Sequence, residues 1–174
     1  MPKVTEEEVY EAQDQWAQAI VKIGQAYVQD GDFVGEAKAV IKELYGFDHD
    51  LDVLFKPTKC AHRQFRLKAD GALSYFVGHE NVQGEIDGPG YPEDGGFAIA
   101  PWINVEFANA DIIEGTDHAL AMGNYYFTGA DGSFAKVEYT FGYRRPKSDK
   151  SSKKDGLLIN LHHSSLPYNP ACYE

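Results

Sequence analysis

The first part of the chain carries apolar side chains at the spacing of an amphipathic helix. Thr5 and Glu8 form a capping-box pattern that places the first helical residue at Glu6. We expect this helix to run to about Gln29, where the segment 30–32 interrupts the periodicity. The stripe that would face a core consists of Val9, Ala12, Trp16, Ile20, Ile23 and Tyr27.

A second helical pattern runs from Phe33 to Tyr45, and Gly46 occupies the position after its end, where glycine is favoured. From Asp50 onward the chain indicates strands and short irregular pieces. Asp70 and Gly71 are typical of a turn before the apolar segment ALSYFVG (72–78). The segment 78–96, rich in glycine and proline, predicts a long loop that either covers a site or forms a surface excursion.

The last eighty or so residues change to a period of two, which is typical of strands. Strands are predicted in FAIAPWINVEF (97–107), HALAMGNYYFT (118–128) and SFAKVEYTFGY (133–143), with a turn at 130–132. In the first of these, alternation places Trp102 opposite Ile103 and Val105. Helices followed by an antiparallel sheet predict an α+β fold in which the helices cover one face of a curved sheet. We expect one domain over residues 1–174.

The segment GLLINLHHSSLPY (156–168) concentrates the reactive side chains, because an apolar strand ends in two imidazoles and two hydroxyls before Pro167. Alternation in a strand places Asn160, His162 and Ser164 on one face. It places Ile159, Leu161, His163 and Ser165 on the other face. Either His–Ser pair can present a base and a hydroxyl to one small ligand, so the sequence leaves open which face lines a site.

The composition argues against some classes of binding partner and of cellular location. The formal charge of −11 and the pI near 4.9 argue against nucleic acid and anionic membranes as partners. Cys60 and Cys172 form no CxxC pair, so we expect two plain thiols. No leader pattern and no run of 18 apolar residues is present, which favours a cytoplasmic protein. The basic segment 144–155 predicts a solvated hairpin loop away from any cavity.

Six blocks of the sequence, in order, resemble the iota-class carbonic anhydrases. They are FKPTK (55–59), ALSYFVG (72–78), GFAIAPWINVEF (96–107), ALAMGNYYFTGADG (119–132), KVEYTFGY (136–143) and INLHHSSLPY (159–168). The domain of that family is similar to the association domain of calcium/calmodulin-dependent protein kinase II, within the NTF2-like cone folds. The resemblance implies reversible hydration of CO2 to bicarbonate in a pocket between the helices and the concave face of the sheet. It also implies a homodimer.

The resemblance maps the family's pocket residues onto Thr58, Tyr75, and one His and one Ser of the HHSS run. We favour His162 and Ser164 as catalytic residues, together with Thr58 and Tyr75. His163, Ser165 and Tyr125 are further substrate-binding candidates, and Tyr126 is a secondary one. Hydroxyl groups suit bicarbonate, which both donates and accepts hydrogen bonds, while the imidazole either orients the reactants or takes the proton.

Metal ligation has little support in the sequence. No HxH, HExxH or CxxC occurs, and adjacent His162 and His163 point to opposite strand faces. We therefore expect no metal, although diatom relatives in the resembling class have been linked to manganese, and Mn or Zn remains the alternative cofactor.

Two other classes of function stay open. The first is a non-catalytic small-molecule-binding or oligomerisation module, because the related kinase domain is an assembly hub. The second is another NTF2-like enzyme, such as an isomerase or dehydratase, which would require a pocket carboxylate that these motifs do not offer.

Overall fold

The computed structural model describes residues 2–147 and 156–173. It contains three α-helices, which are α1 (Glu6–Val28), α2 (Phe33–Leu44) and α3 (Ala69–Val77). It contains five strands, which are β1 (Leu54–Lys56), β2 (Trp102–Glu114), β3 (His118–Gly129), β4 (Phe134–Arg144) and β5 (Leu158–Ser165). The helices pack on one face of a single sheet, so the predicted α+β plan is confirmed.

The N-terminal helix begins where the capping box predicted. The Thr5 hydroxyl oxygen accepts a hydrogen bond from the Glu8 backbone N–H at 3.3 Å, and the Glu8 carboxylate accepts one from the Thr5 backbone N–H at 2.8 Å. Its apolar stripe is buried up to Ile23, whereas Tyr27 is 42% exposed. Trp16 lies at the centre of this stripe, with its ring against the aromatic side chains of the sheet.

The prediction of a turn at Asp70 and Gly71 is wrong, because both residues belong to the first turn of α3. An aspartate is favourable there, since the positive end of the helix dipole stabilises its charge. Gly71 is explained by a close approach: a Cβ atom at this position would lie 2.8 Å from the Tyr91 hydroxyl oxygen.

The sheet has the strand order β1-β5-β4-β3-β2, with β1 parallel to β5 and all other pairs antiparallel. In β4 the predicted alternation is confirmed, because Val137, Tyr139 and Phe141 are buried. At two other places, a shift in strand register turns side chains to a face of the sheet that was not predicted. In β2 a register shift after Trp102 turns this ring onto Phe127 in the core and leaves Ile103 60% exposed.

The second irregularity lies in β5, opposite the point where Gly142 is followed by Tyr143 in β4. Here Ile159 pairs with Tyr143, while Leu161 pairs with Gly142, so Asn160 is an extra residue. A Cβ atom on Gly142 would lie 2.8 Å from Leu161 Cβ and 3.0 Å from Asn160 Oδ1. Asn160 and Leu161 therefore lie on the same outer side. The prediction that Asn160 shares a face with His162 is wrong, and Ile159 is buried instead.

The glycine-rich segment 78–96 is a long loop whose ends meet. The His79 backbone N–H donates to the Asp94 carbonyl oxygen at 3.0 Å. Asp94 itself forms a buried ion pair with Arg66. The loop is therefore anchored beside the helical layer.

The predicted basic hairpin loop lies largely outside the described residues. At its start, Arg144 pairs with Asp117, and Arg145 pairs with Glu8. Within residues 2–147 and 156–173, no helix is long and apolar enough to cross a membrane.

Candidate active site

A small cavity lies between the helical layer and the inner face of the sheet. Its volume of about 10 Å³ is room for about one water molecule. We call it the hydroxyl cavity. It is lined by Trp16, Phe55, Pro57, Thr58, Tyr75, Phe76, Phe97, Tyr125, His162 and Ser164.

The structure brings together all four residues that the sequence analysis favoured, and Tyr125 with them. Period-two alternation beyond the irregularity turns His162 and Ser164 inward, and both are about 98–99% buried. Pro57 directs the chain after β1 so that Thr58 lies over the end of β5. Helix α3 supplies Tyr75, and β3 supplies Tyr125.

The remaining candidates do not reach the hydroxyl cavity. His163 is exposed on the outer side of β5. The Ser165 hydroxyl donates to the Glu138 carboxylate at 2.6 Å. Tyr126, on the outer side of β3, stacks on Phe134. The choice that the sequence left open between the two His–Ser pairs is decided by the position of the helices, which cover the face of His162 and Ser164.

A continuous chain of hydrogen bonds links the polar side chains. Thr58 Oγ1 lies 2.8 Å from Ser164 Oγ, and Ser164 Oγ contacts the Tyr125 hydroxyl. The same phenol oxygen lies 3.2 Å from His162 Nε2. On its other side, His162 Nδ1 lies 2.8 Å from the Tyr45 hydroxyl. Thr58 is only half-buried, so this chain has one end near solvent and the other in the core.

Sequence analysis missed Tyr45, the second hydrogen-bond partner of His162. It follows α2 directly, and its side chain is fully buried. The indole N–H of Trp16 donates to the Tyr45 hydroxyl oxygen at 3.0 Å. Trp16 was predicted as core only, yet it also takes part in this chain. The one sequence signal was that a buried Tyr or Trp needs a polar partner.

Aromatic rings hold the His162 imidazole on both faces. Phe55 stacks on one face at 4.7 Å between centroids, and Phe141 stacks on the other at 4.1 Å. This arrangement fixes the ring plane and excludes water. The wall of the hydroxyl cavity opposite the polar groups is apolar and is formed by Phe55, Phe76 and Phe97.

Burial controls the ionisation of the polar groups. It holds the pKa of His162 well below its ordinary value, and the neighbouring His163 lowers that pKa further. Burial also raises the pKa of the Tyr75 and Tyr125 phenols above their ordinary value. At neutral pH the cavity thus contains a neutral imidazole and protonated hydroxyls.

The lowered pKa of His162 predicts a stability that depends on pH. Below pH ~6.5 the unfolded chain binds a proton at His162 that the folded chain does not, so the free energy of unfolding falls as the pH falls. The slope that this histidine contributes rises toward a limit of about 1.4 kcal/mol per pH unit as the pH falls below that value. We expect urea titrations from pH 7.5 to 5 to show this slope in the wild type and to lack that component in a His162→Asn variant. Equal slopes in the two proteins would contradict the assignment.

A second cavity of about 200 Å³ adjoins the hydroxyl cavity and opens toward solvent. It is lined by Lys59, Tyr75, Glu93, Asp94, Gly95, Gly96, Phe97, Ala100 and Trp102. Tyr75 and Phe97 line both cavities, and their rings stack at 5.6 Å. This stacked pair therefore separates the hydroxyl cavity from the outer one.

The group of residues that comes closest to a metal site in the described chain is Cys60, Glu93 and Asp94. A guanidinium already occupies this position, because Arg66 donates to both Asp94 carboxylate oxygens at 2.6 and 2.7 Å and to Cys60 Sγ at 3.3 Å. Glu93 accepts three hydrogen bonds from backbone N–H groups at 2.6–3.1 Å. Burial raises the pKa of the Cys60 thiol to about 11, so without a metal ion it is protonated at neutral pH. These residues do not fit a metal ion.

Comparisons with known proteins found two similar carbonic anhydrases. A metal-independent carbonic anhydrase from Nostoc sp. is 39% identical over 168 residues, which are 95% of this chain and 75% of the relative. A crystal structure of a cyanobacterial iota-carbonic anhydrase complexed with bicarbonate is 37% identical, covers 95% of this chain and 94% of that one, and superposes with a TM-score of 0.82.

The fold is shared more widely. A calcium/calmodulin-dependent protein kinase II association-domain protein from Xanthomonas campestris is 18% identical, with 97% of both chains covered and a TM-score of 0.58. This similarity shows the fold alone. The sequence model of the metal-independent carbonic anhydrases matches residues 7–166, which is most of the chain. The chain therefore belongs to the metal-independent carbonic anhydrase family, the iota class.

Proposed function

We propose that this enzyme hydrates CO2 in the hydroxyl cavity, where hydroxyl groups and one neutral imidazole take the place of a metal ion. The observation that carries the proposal is the chain of Thr58, Ser164, Tyr125 and His162 opposite an aromatic wall. The solved iota-carbonic anhydrase, to which this chain is similar, is complexed with bicarbonate. We assign the same ligand to this cavity.

The two sides of the cavity suit the two forms of the substrate. CO2 carries no charge and suits the apolar side, formed by Phe55, Phe76 and Phe97. Because the hydroxyl cavity has room for about one water molecule, we propose that CO2 enters when the Tyr75–Phe97 pair moves toward the outer cavity. Negative charge develops on its oxygen atoms as water attacks the carbon, and O–H donors stabilise that charge. The raised pKa of Tyr75 keeps its phenol protonated, so it is a donor here and not a base. We assign it to a developing bicarbonate oxygen.

The proton of the attacking water leaves through hydroxyl groups. The water oxygen forms the new bond to carbon, one C=O electron pair moves to oxygen, and the water proton passes to Thr58 Oγ1. Thr58 releases its own proton to solvent, because among the hydroxyl groups of this hydrogen-bond chain only Thr58 belongs to a residue that is not fully buried. The product is bicarbonate and one proton. His162 orients this chain and does not take the proton, since its cation is unfavourable in a buried site.

The test of metal independence is stopped-flow CO2 hydration on protein purified in excess EDTA, with metal content measured on the same sample. We expect full activity at far less than one metal per chain. A Glu93→Gln variant is the control, because it alters the Cys60–Asp94 group outside the hydroxyl cavity. Activity that returns only with added Mn or Zn, and that Glu93→Gln reduces, would overturn the proposal. No activity under any condition would favour a non-catalytic binding module.

Homodimerisation, expected from the resemblance, remains a proposal. The outer face of the sheet leaves large apolar side chains exposed, namely Ile103, Ile113, Leu120 and Met122. A second copy of this chain would cover such a patch. Light scattering should give twice the mass of the 19.4 kDa chain, and a Met122→Glu variant should give the single mass. A monomeric wild type would contradict the proposal. A cytoplasmic location likewise stays a prediction.

A further inference from the structure

We infer that Tyr45, held by Trp16, is a positioning residue that fixes His162 as the tautomer protonated at Nε2 and thereby sets the direction of the whole hydroxyl chain. The inference deepens the proposed function and rests on it, because it concerns the residues assigned to the reaction. We do not expect the Tyr45 hydroxyl or the Trp16 indole N–H to contact the substrate. Both act through the imidazole.

Trp16 supplies the one group in this hydrogen-bond chain that can only donate. An indole N–H has no lone pair to offer, so the contact of 3.0 Å fixes the Tyr45 oxygen as its acceptor. The phenol of Tyr45 still has one proton to donate. Its side chain is fully buried, and among the described residues its remaining hydrogen-bond partner is His162 Nδ1, at 2.8 Å.

The alternative tautomer would leave a buried donor without an acceptor. If Nδ1 carried the proton, the Tyr45 oxygen would accept from both Trp16 and His162, and its own O–H would have no partner in the core. An unsatisfied buried donor is costly, so this arrangement is disfavoured. Tyr45 therefore donates to Nδ1, and the proton of the neutral imidazole resides on Nε2.

This tautomer orders the hydrogen bonds that follow. His162 Nε2–H donates to the Tyr125 oxygen, so the Tyr125 proton points to Ser164 Oγ. The nearer remaining acceptor for the Ser164 proton is Thr58 Oγ1, at 2.8 Å, compared with 3.3 Å for the Glu138 carbonyl oxygen. Thr58 is then left with its own O–H and one lone pair for the reacting water and the solvent.

The direction of the hydrogen-bond chain, from His162 to Thr58 or the reverse, decides where the proton of the attacking water goes. In the inferred order, a proton that reaches Thr58 leaves outward to solvent. In the reversed order, Thr58 donates to Ser164, Ser164 to Tyr125 and Tyr125 to Nε2, so the same proton would move inward and end as a buried His162 cation. Tyr45 excludes the inward route by occupying Nδ1 as a donor.

The experiment combines nitrogen-15 NMR of the histidine rings with steady-state kinetics. A His162→Asn variant identifies the His162 signals among the six histidines. We expect the wild type at pH 7.5 to show Nε2 protonated and Nδ1 unprotonated. In Tyr45→Phe, we expect a mixture of both tautomers and a kcat lowered roughly 10- to 100-fold, with KM little changed. We take this scale from the loss of an outer hydrogen-bond partner of a metal-ligating histidine.

Tyr139→Phe is the matched control. Tyr139 is equally buried, but its hydroxyl donates to Asn109 Oδ1 and not to His162. It should leave the tautomer unchanged. A wild type protonated at Nδ1 overturns the inference without need of any variant, as does an unchanged nitrogen pattern in a folded Tyr45→Phe. If the wild type shows the inferred tautomer but a variant without the Thr58 and Ser164 hydroxyls stays fully active, the tautomer is confirmed and the proposed function is overturned.

Discussion

Replacing Ser164 with alanine should lower kcat for CO2 hydration by about 100-fold or more, because Ser164 donates to Thr58 Oγ1 and orders the hydroxyl that takes the proton of the attacking water. Ser164 Oγ is the link between Thr58 Oγ1 and the Tyr125 hydroxyl, so its loss divides the chain in two. The free energy of unfolding should fall by about 1–3 kcal/mol, because the buried Tyr125 hydroxyl and the half-buried Thr58 hydroxyl each lose a partner. Stopped-flow hydration assays and urea titrations on the same samples measure both effects.

The neighbouring serine supplies the control. Ser165 is the next residue in β5, but it faces outward and donates to Glu138. Ser165→Ala should remain within about twofold of the wild-type kcat, since surface changes away from the site have small effects. Equal losses in the two variants would show that the strand is sensitive as a whole, and a fully active Ser164→Ala would remove Ser164 from the mechanism.

Local patterns predicted the regular elements well, because the forces that create them lie within a few residues. The capping box at Thr5 and the alternation in β4 depend on neighbours in the chain, and both are found. Helix α3 was missed since Asp70 and Gly71 suit both a turn and a first helical turn. The pairing across the sheet also decides the face of Asn160, and that pairing is not visible in β5 alone.

The candidate site shows the same division between local and distant information. Alternation alone placed His162 with Ser164, but it could not say which face of β5 the helices would cover. Thr58 and Ser164 are 106 residues apart, and Tyr45 and His162 are 117 apart. Thr58 and Tyr75 entered through the resemblance of short blocks, and Tyr45 lay outside all of those blocks. Contacts of this kind come from the fold, not from spacing.

The buried ion pair beside the site predicts the largest effect on stability. Arg66 and Asp94 have side chains with no exposed surface, and two charge-assisted hydrogen bonds join them. Asp94→Asn keeps the shape but leaves the Arg66 guanidinium as an uncompensated buried charge. The free energy of unfolding should fall by about 3–5 kcal/mol, measured by urea titration at pH 7.5.

Asp87→Asn is the matched control, because Asp87 is exposed in the same glycine-rich loop and should change stability by less than about 0.5 kcal/mol.

Asp94 also precedes Gly95, Gly96 and Phe97, and Phe97 closes the hydroxyl cavity with Tyr75. Weakening this anchor should therefore lower activity as well, with no polar group of the reaction changed. A double variant, Arg66→Met with Asp94→Leu, removes both charges and should recover much of the lost stability. If Asp94→Asn costs less than about 1 kcal/mol, or if the double variant is less stable than the single one, the anchor is not the buried charge pair.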